Sequence, residues 1–299
     1  FMIDSNKANP SQHSSETPPL KPKAILVTGG AGYIGSHVVK QLGALGEKVV
    51  VLDNLYSGFA ESVLSGELVV GHTADKSLVK SLIKKHQIDT VMHFAAHTVV
   101  PESVSNPLKY YQNNTASTLA LLDACADTGV QQFVFSSTAA VYGIPENPLC
   151  NEETPTQPIN PYGMSKLMSE HMLKDLGASS AMRYVILRYF NVAGSDPEGR
   201  IGQSTKNATL LTKVAVEAAI GKRAQVSIFG TDYDTPDGTG VRDYIHVEDL
   251  ASAHIQALSY LRRQGSSVTL NCGYGHGFSV REVLATVEKI TGTKLTIKE

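Results

Sequence analysis

The stretch Thr28-Gly-Gly-Ala-Gly-Tyr-Ile-Gly35 decides the fold of this chain, because it joins a short apolar run to a helical one. Residues 24–27 have the aliphatic composition of a buried strand, and residues 33–45 have the apolar spacing of a helix. Glycine permits a tight turn and a close approach of the backbone to a ligand, and a helix N-terminus attracts phosphate. The stretch therefore predicts a turn that binds the pyrophosphate of a dinucleotide.

Apolar runs and helical stretches continue to alternate after this turn. The further predicted strands are residues 49–52, 90–94, 133–136 and 184–187, and the further predicted helices are residues 78–86, 116–128 and 162–176. This alternation predicts an α/β fold with a Rossmann-like, doubly wound parallel sheet, which binds ligands at the carboxyl ends of its strands. Beyond about residue 190 the alternation stops, and loops rich in Gly, Asp, Pro and Thr surround one clear helix near residues 209–220.

Asp53 indicates which dinucleotide the turn binds. It ends the second predicted strand, 18 residues after Gly35. A carboxylate at this place accepts hydrogen bonds from the ribose 2′-hydroxyl and repels a 2′-phosphate, so NAD is favoured over NADP. An ordinary strand–turn–helix with a capping Asp is the alternative. We predict an NAD-binding Rossmann domain over residues 24–190 and a smaller C-terminal substrate-binding lobe over residues 191–299, partly interleaved with it.

The composition gives no sign of a nucleic-acid or membrane partner. The net charge of −2 leaves no basic excess for binding nucleic acid or an anionic membrane surface. No apolar run reaches the roughly 18 residues that a transmembrane helix requires. Residues 1–23 lack the apolar segment of a secretory signal, and we interpret them as a flexible N-terminal extension.

Cysteines and histidines suggest a reducing compartment and no metal. The three cysteines are odd in number and lack CxxC spacing, which is typical of free thiols in a cytoplasmic protein; they are Cys125, Cys150 and Cys272. His93 and His97 follow a predicted strand and lack the acidic residue of a zinc-binding helix. We expect packed or hydrogen-bonded histidines there.

Tyr162 and Lys166 are the second informative pair. They lie four residues apart on a predicted helix and therefore share one face. A free tyrosine has a pKa of about 10 and is a poor base, but a lysine and a positively charged nicotinamide nearby would favour the phenolate. Thr138 follows the strand at 133–136, where its hydroxyl could bond a reacting oxygen. Beside a dinucleotide these groups predict redox chemistry at a carbon bearing a hydroxyl; a surface Tyr–Lys pair and a turn-capping Thr are the alternatives.

Longer motifs resemble the extended short-chain dehydrogenase/reductase superfamily, and within it the UDP-glucose (UDP-galactose) 4-epimerases. The similarity runs from about Lys23 to Glu299. Its motifs are Val27-Thr-Gly-Gly-Ala-Gly-Tyr-Ile-Gly-Ser-His37, Leu52-Asp-Asn54, His93-Phe-Ala-Ala96, Tyr110-Tyr-Gln-Asn-Asn114 and Phe135-Ser-Ser-Thr-Ala-Ala-Val-Tyr-Gly143. Two more specific motifs follow, Arg188-Tyr-Phe-Asn-Val-Ala-Gly194 and Gly238-Thr-Gly-Val-Arg-Asp-Tyr-Ile-His-Val247.

The resemblance implies a set of site residues. The implied catalytic residues are Thr138, Tyr162 and Lys166. The implied NAD-binding residues are Gly29, Gly32, Tyr33, Ile34, Gly35, Asp53, Asn54, Phe94, Ala95, Asn113, Tyr162, Lys166 and Tyr189. The implied substrate-binding residues are Thr138, Tyr162, Asn191, Leu211, Phe229, Arg242 and Tyr244. A guanidinium such as that of Arg242 suits a diphosphate, because it presents a fork of N–H donors.

The resemblance also implies an assembly and a longer chain. The family pairs the helices at 116–128 and 162–176 with their copies in a homodimer. Met164, Met168 and Met172 form a stripe on the second helix, and we expect part of it in or beside that interface. The family continues beyond the equivalent of Glu299, so we expect the C-terminal end of the lobe to be missing from this sequence.

The implied reaction is the interconversion of UDP-glucose and UDP-galactose through a 4-keto intermediate, by transient hydride transfer to bound NAD. A 4-epimerase of another UDP-sugar, an N-acetylhexosamine or a pentose, remains an alternative. So does a non-catalytic NAD-binding regulator on the same fold. A sugar-nucleotide 4,6-dehydratase is disfavoured, because such enzymes commonly have Asp-Glu where this chain has Ala139-Ala140.

Overall fold

The computed structural model describes residues 23–147, 149–205 and 209–299. The predicted N-terminal extension at 1–23 lies outside the described residues, apart from Lys23. The first half of the described chain contains β1 (Ala24–Thr28), α1 (Tyr33–Ala44), β2 (Val49–Asp53), β3 (Glu67–Val70), α2 (Lys76–His86), β4 (Ile88–His93), α3 (Val100–Ser105), α4 (Pro107–Tyr110), α5 (Ser117–Thr128) and β5 (Gln132–Ser136). The second half contains α6 (Pro161–Ser179), β6 (Arg183–Tyr189), β7 (Asn191–Ala193), α7 (Leu211–Ala219), β8 (Val226–Ser227), β9 (Val241–His246), α8 (Val247–Arg262), β10 (Val268–Cys272), β11 (Gly277–Ser279), α9 (Val280–Thr291) and β12 (Ile297–Lys298).

Seven parallel strands form the central sheet in the order β10-β6-β5-β4-β1-β2-β3. The strands β1, β2 and β5 are buried along their whole length, as expected for a sheet with helices on both faces. One core cluster joins the sheet to α1 and α8, and a second joins it to α2 and α5. The strand order reverses beside β1, where a doubly wound sheet opens a crevice. The predicted Rossmann-like α/β fold is confirmed.

The structure contains strands and helices that were not predicted from the sequence. β3 was not predicted because its side chains are half-exposed or exposed and give no buried-strand pattern. β10 pairs with β6 although the two strands are far apart in the chain. The segment after residue 190 also contains α8 and α9 beside the predicted helix, and α8 packs against α1. The division into two domains stays a prediction. Across the described ranges, no helix combines the length and apolarity needed to cross a membrane.

A smaller group of elements lies beside the carboxyl ends of the central strands. β7, β9 and β11 form a three-stranded sheet, and β8 pairs with β12. α7 and α9 pack together around an apolar cluster that includes Ala215, Val226 and Leu284. α9 begins with a capping box, in which Ser279 and Glu282 each accept a backbone hydrogen bond from the other. This group contributes the second wall of the cleft described next.

Candidate active site

A cleft of about 1970 Å³ opens where the central strands end. Parallel strands end at one edge of the sheet, so residues from distant parts of the chain meet there. Most of the site residues predicted from the sequence line this cleft, namely Gly29, Gly32, Tyr33, Ile34, Gly35, Asp53, Asn54, Phe94, Ala95, Asn113, Thr138, Tyr162, Lys166, Tyr189, Asn191 and Arg242.

Three of the predicted substrate-binding residues are not among those that line the cleft. Leu211 packs against the apolar cluster between α7 and α9. Phe229 is 88% exposed, and Tyr244 is half-buried on β9. Their assignment to the substrate site stays a prediction.

The turn between β1 and α1 has the geometry of a phosphate-binding site. Gly29 has a φ of +72°, and a Cβ there would lie 2.5 Å from the backbone nitrogen of Ala95. A Cβ on Gly35 would clash with the carbonyl oxygen of Gly29. α1 begins after Gly32, which has no side chain to cap the first N–H groups of the helix. Because no side chain at Gly32 covers these N–H groups, a pyrophosphate could approach the backbone closely and accept hydrogen bonds from them.

Asp53 is fixed at the end of β2, next to that turn. Its Oδ2 accepts a hydrogen bond of 3.0 Å from the backbone N–H of Ala31, and its Oδ1 accepts one of 2.8 Å from that of Leu55. Each carboxylate oxygen can accept a second hydrogen bond, so ribose hydroxyls can still be bound. The turn and Asp53 together fit the adenosine and pyrophosphate half of NAD.

The structure brings Thr138, Tyr162 and Lys166 together at the other end of the cleft. α6 begins with Pro161, and the side chain of Asn160 caps it by accepting a 2.8 Å hydrogen bond from Gly163 N–H. Tyr162 and Lys166 are buried on the first turns of this helix, and Thr138 is buried beyond the end of β5. Burial raises the pKa of Tyr162, and a hydrogen bond with the side chain of Thr138 acts in the opposite direction.

The ammonium group of Lys166 has a buried position of its own. Its Nζ donates a 2.9 Å hydrogen bond to the carbonyl oxygen of Ser136 and lies 4.9 Å from the ring centroid of Phe135. Burial lowers the pKa of Lys166 to about 8, while the negative charge of Glu170 acts to raise it. We expected Lys166 to lower the pKa of Tyr162, but burial and Thr138 govern that pKa in this structure.

The histidine that ends β4, His93, and the one in the loop after it, His97, behave as packed residues. Thr28 Oγ1 lies 2.6 Å from His93 Nδ1, and Thr118 Oγ1 lies 2.8 Å from its Nε2, so both ring nitrogens are satisfied. Burial, with a smaller effect of the charge on Lys166, lowers the pKa of His93 to about 3. The ring of His97 contacts that of Tyr56. The described ranges contain no group of three or more His, Cys, Asp or Glu placed to hold a metal ion.

Three residues around the catalytic candidates, Ser137, Glu170 and Arg188, were given no role by the sequence analysis. Ser137 lies between Ser136 and Thr138 and donates a hydrogen bond to Glu170, which in turn pairs with Arg188. Glu170 lies four residues after Lys166, on the helical face of Tyr162 and Lys166, so its place beside them could have been predicted from the spacing. Arg188 carried no comparable signal, because its partner depends on the packing of β6 against α6.

The chain resembles proteins of one enzyme family in sequence and in structure. A family model described as "NAD dependent epimerase/dehydratase family" matches residues 25–273. The UDP-glucose 4-epimerase of Azospirillum brasilense is 56% identical over 272 residues, which cover 91% of this chain and 78% of that protein. The structure of UDP-glucose 4-epimerase from Brucella ovis in complex with NAD has a TM-score of 0.90 at 43% identity, over 92% of this chain and 85% of that chain. The UDP-Glc/GlcNAc 4-epimerase of Campylobacter jejuni has a TM-score of 0.81 at 47% identity, over 92% and 86%.

These matches confirm the resemblance stated from the motifs. The predicted NAD dependence agrees with the family description and with the Brucella ovis complex. The predicted enzyme class, an NAD-dependent epimerase, is confirmed by the same findings and by the curated relative. The chain belongs to the NAD dependent epimerase/dehydratase family.

Proposed function

We propose that this chain is a 4-epimerase that interconverts UDP-glucose and UDP-galactose through a 4-keto intermediate while it keeps NAD bound. The observation that carries the proposal is the burial of Thr138, Tyr162 and Lys166 at one end of a cleft. The other end contains the phosphate-binding turn and Asp53. The identity of 56% to a UDP-glucose 4-epimerase supports the choice of substrate.

The three side chains divide the proton chemistry. Bound NAD would accept the hydride from C4 of the sugar and return it to the opposite face of the ring. Tyr162 takes the proton of the 4′-hydroxyl as the C4–O bond becomes a carbonyl, and it returns that proton when the hydroxyl re-forms. Thr138 holds the reacting oxygen beside the phenol. Lys166, one turn further along α6, would bind ribose hydroxyls of the cofactor.

Asn191 and Arg242 line the cleft on the side of the smaller group of elements, and we propose that they bind the nucleotide sugar. The Nη1 of Arg242 donates a 2.8 Å hydrogen bond to the carbonyl oxygen of Val241. A guanidinium has five N–H donors, so this contact leaves donors for a diphosphate.

Steady-state assays with UDP-galactose, UDP-N-acetylgalactosamine and UDP-arabinose, run side by side, test the proposal. We expect the highest kcat/KM for UDP-galactose. The Campylobacter jejuni relative, described as a UDP-Glc/GlcNAc 4-epimerase, makes an N-acetylated sugar the second candidate. A higher kcat/KM for UDP-N-acetylgalactosamine would overturn the choice of sugar. Retention of NAD with no turnover of any of the three sugars would support a non-catalytic regulator.

We also propose a homodimer formed through α5 and α6. Leu119 on α5 is 55% exposed, and Met168 on α6 is 41% exposed, so both helices present large apolar side chains to solvent. Met172 packs instead against the core beneath the helices and Met164 is half-buried, so Met168 is the exposed member of the methionine stripe that supports the interface. Light scattering at micromolar concentration should give a dimer, and Leu119→Glu should give a monomer with unchanged secondary structure. A monomeric wild type would contradict the proposal.

The free cysteines support a cytoplasmic location, which we also propose. Cys125 and Cys272 are buried, Cys150 is half-buried, and none of the three forms a disulfide. Free thiols persist in a reducing compartment. Fractionation of the native host should place the protein with cytoplasmic markers, and recovery with secreted proteins would contradict the proposal.

A further inference from the structure

We propose that Glu170 is a positioning residue for the epimerisation, which holds the end of β5 against α6 and so fixes Thr138 relative to Tyr162. The inference rests on the proposed function, because it assumes that Thr138, Tyr162 and Lys166 perform the chemistry. Glu170 lies on α6 four residues beyond Lys166 and is fully buried, with 0% of its surface exposed. It acts through other residues and does not line the cleft.

The carboxylate of Glu170 is completely bonded inside the protein. Its Oε1 accepts hydrogen bonds of 2.6 Å from Ser137 Oγ and 3.0 Å from Arg188 Nε, and its Oε2 accepts one of 2.6 Å from Arg188 Nη2. The partly exposed side chain of Lys174 places its Nζ 3.6 Å from Oε2. Arg188 also donates its Nη1 to the hydroxyl of Tyr142 at 3.0 Å. The pair therefore joins α6, β5 and β6 through bonds of defined direction.

Three consecutive residues at the end of β5 each contact α6. The carbonyl oxygen of Ser136 accepts from Lys166, the hydroxyl of Ser137 donates to Glu170, and the side chain of Thr138 hydrogen-bonds Tyr162. The Ser137 contact lies between the two that involve catalytic candidates. Its loss would free Thr138 to move, and a misplacement of about 1 Å at a reacting group costs on the order of 100-fold in rate.

Stability alone is a weak reason for a charged pair at this place. The cost of desolvating two buried charges offsets most of their attraction, so apolar side chains of equal volume would stabilise the fold about as well. A directional pair with its remaining donors satisfied fixes geometry better than an apolar contact does. This difference supports a role for Glu170 in positioning.

The charge of Glu170 has a second consequence, at Lys166. Burial lowers the pKa of Lys166, and Glu170 opposes this effect. The other groups near the ammonium are His93 on β4, which is neutral because its pKa is lowered to about 3, and the buried phenols Tyr162 and Tyr189, whose pKa values are raised. Arg188 is paired with Glu170 itself. Removing the negative charge should therefore make Lys166 lose its proton at lower pH.

The pH dependence of kcat tests the proposal in a way that a purely structural role would not affect. We expect Glu170→Gln to lower kcat at least about tenfold and to move the alkaline limb of the kcat profile to lower pH by about one unit. Glu170→Asp restores the charge and should return the limb towards its wild-type position. An unmoved limb in Glu170→Gln would overturn the role of the charge.

Ser137→Ala tests the positioning itself, because it leaves the pair of Glu170 and Arg188 in place. We expect kcat to fall about fivefold with KM unchanged. The double variant Ser137→Ala/Thr138→Ala should be no slower than Thr138→Ala alone, because Ser137 acts through Thr138. If the fold-losses in kcat of the two single variants multiply in the double variant, the proposal is overturned. This comparison is sufficient by itself if Glu170→Gln does not fold.

Asp196→Asn is the matched control. Asp196 is also buried, at 3% exposed, and pairs with Lys40 and Arg200 away from the catalytic candidates. We expect a lower Tm and an unmoved alkaline limb; a limb that moves equally in this variant would overturn the proposal.

Tyr162→Phe distinguishes a failure of the proposed function from a failure of the positioning role. Full turnover in Tyr162→Phe would refute the proposed function, whereas an inactive Tyr162→Phe with multiplying effects in Ser137→Ala/Thr138→Ala would refute the positioning role alone.

Discussion

Replacement of Lys166 by methionine should stabilise the cofactor-free fold while it abolishes turnover. The side chain is 4% exposed, and its ammonium has one backbone acceptor, the carbonyl oxygen of Ser136. Methionine fills a similar volume with no charge to desolvate. The proposed function explains why the chain keeps a cation at a position where the fold alone would favour an apolar side chain.

The magnitude follows from the pKa of this residue. Burial, opposed by Glu170, lowers the pKa of Lys166 from 10.5 to about 8, which corresponds to a cost of about 3 kcal/mol for the charged form at neutral pH. The variant loses the hydrogen bond to Ser136, a loss of about 1 kcal/mol, and the contact of the cation with the ring of Phe135, a loss of about 0.5–1 kcal/mol. The net gain should therefore be about 1–2 kcal/mol, or an increase in Tm of a few degrees for a chain of this size.

The sign depends on pH. Between about pH 8 and pH 10.5 the unfolded chain holds a proton on Lys166 that the folded protein has released, so wild-type stability from this group rises with pH over that window. The advantage of Lys166→Met should therefore be largest at about pH 7 and should disappear by about pH 10.

Urea denaturation of cofactor-free protein at the two pH values measures this difference. Lys40→Met is the control, because contacts with Asp196 and Glu248 outweigh the effect of burial and raise the pKa of Lys40. Its stabilising contribution is present below its unfolded pKa, so Lys40→Met should destabilise the fold at about pH 7. The reasoning fails if Lys166→Met unfolds more easily than wild type at neutral pH, or if its advantage does not change with pH.

Three further outcomes are expected. Tyr162→Phe should retain NAD, measured by calorimetry, and should lower turnover at least about 100-fold because a positioned proton-transfer group is lost; turnover at the wild-type rate would refute its role. His93→Gln should reduce the loss of stability in acid. Burial lowers the pKa of His93 to about 3, so as the pH falls below 6.5 the unfolded chain binds a proton that the folded protein excludes. The loss of stability of wild type between pH 6.5 and about pH 5 should exceed that of the variant by about 2 kcal/mol in urea titrations, and parallel losses would contradict this. Asp53→Asn should lower the preference for NAD over NADP about tenfold in direct binding, because the charge that repels a 2′-phosphate is removed, and an unchanged ratio would mean that Asp53 does not set the preference.

The sequence alone determined the parts of the site that depend on local geometry. Gly29 and Gly35 were predicted because a strand–turn–helix that binds a dinucleotide needs glycine at these positions, although the atoms that exclude a Cβ at Gly29 belong to Phe94 and Ala95, in a distant part of the chain. The NAD-binding role of Asp53 was predicted from its place at the end of a strand, and the shared face of Tyr162 and Lys166 was predicted from the period of a helix. Alternation of strands and helices likewise predicted the doubly wound sheet, because each element shows its own periodicity.

Only the tertiary structure decided which distant residues meet and which are buried. The pairing of Arg188 with Glu170 and of β10 with β6 could not be predicted from the sequence, because these contacts depend on how whole elements pack. Burial also changed the chemistry, since the pKa of Lys166 depends mainly on the dielectric around its ammonium, which only the packed structure shows. The packing of whole elements also explains why a predicted residue such as Phe229 does not line the cleft. Periodicity places a side chain on one face of an element, whereas the packing of several elements decides what that face contacts.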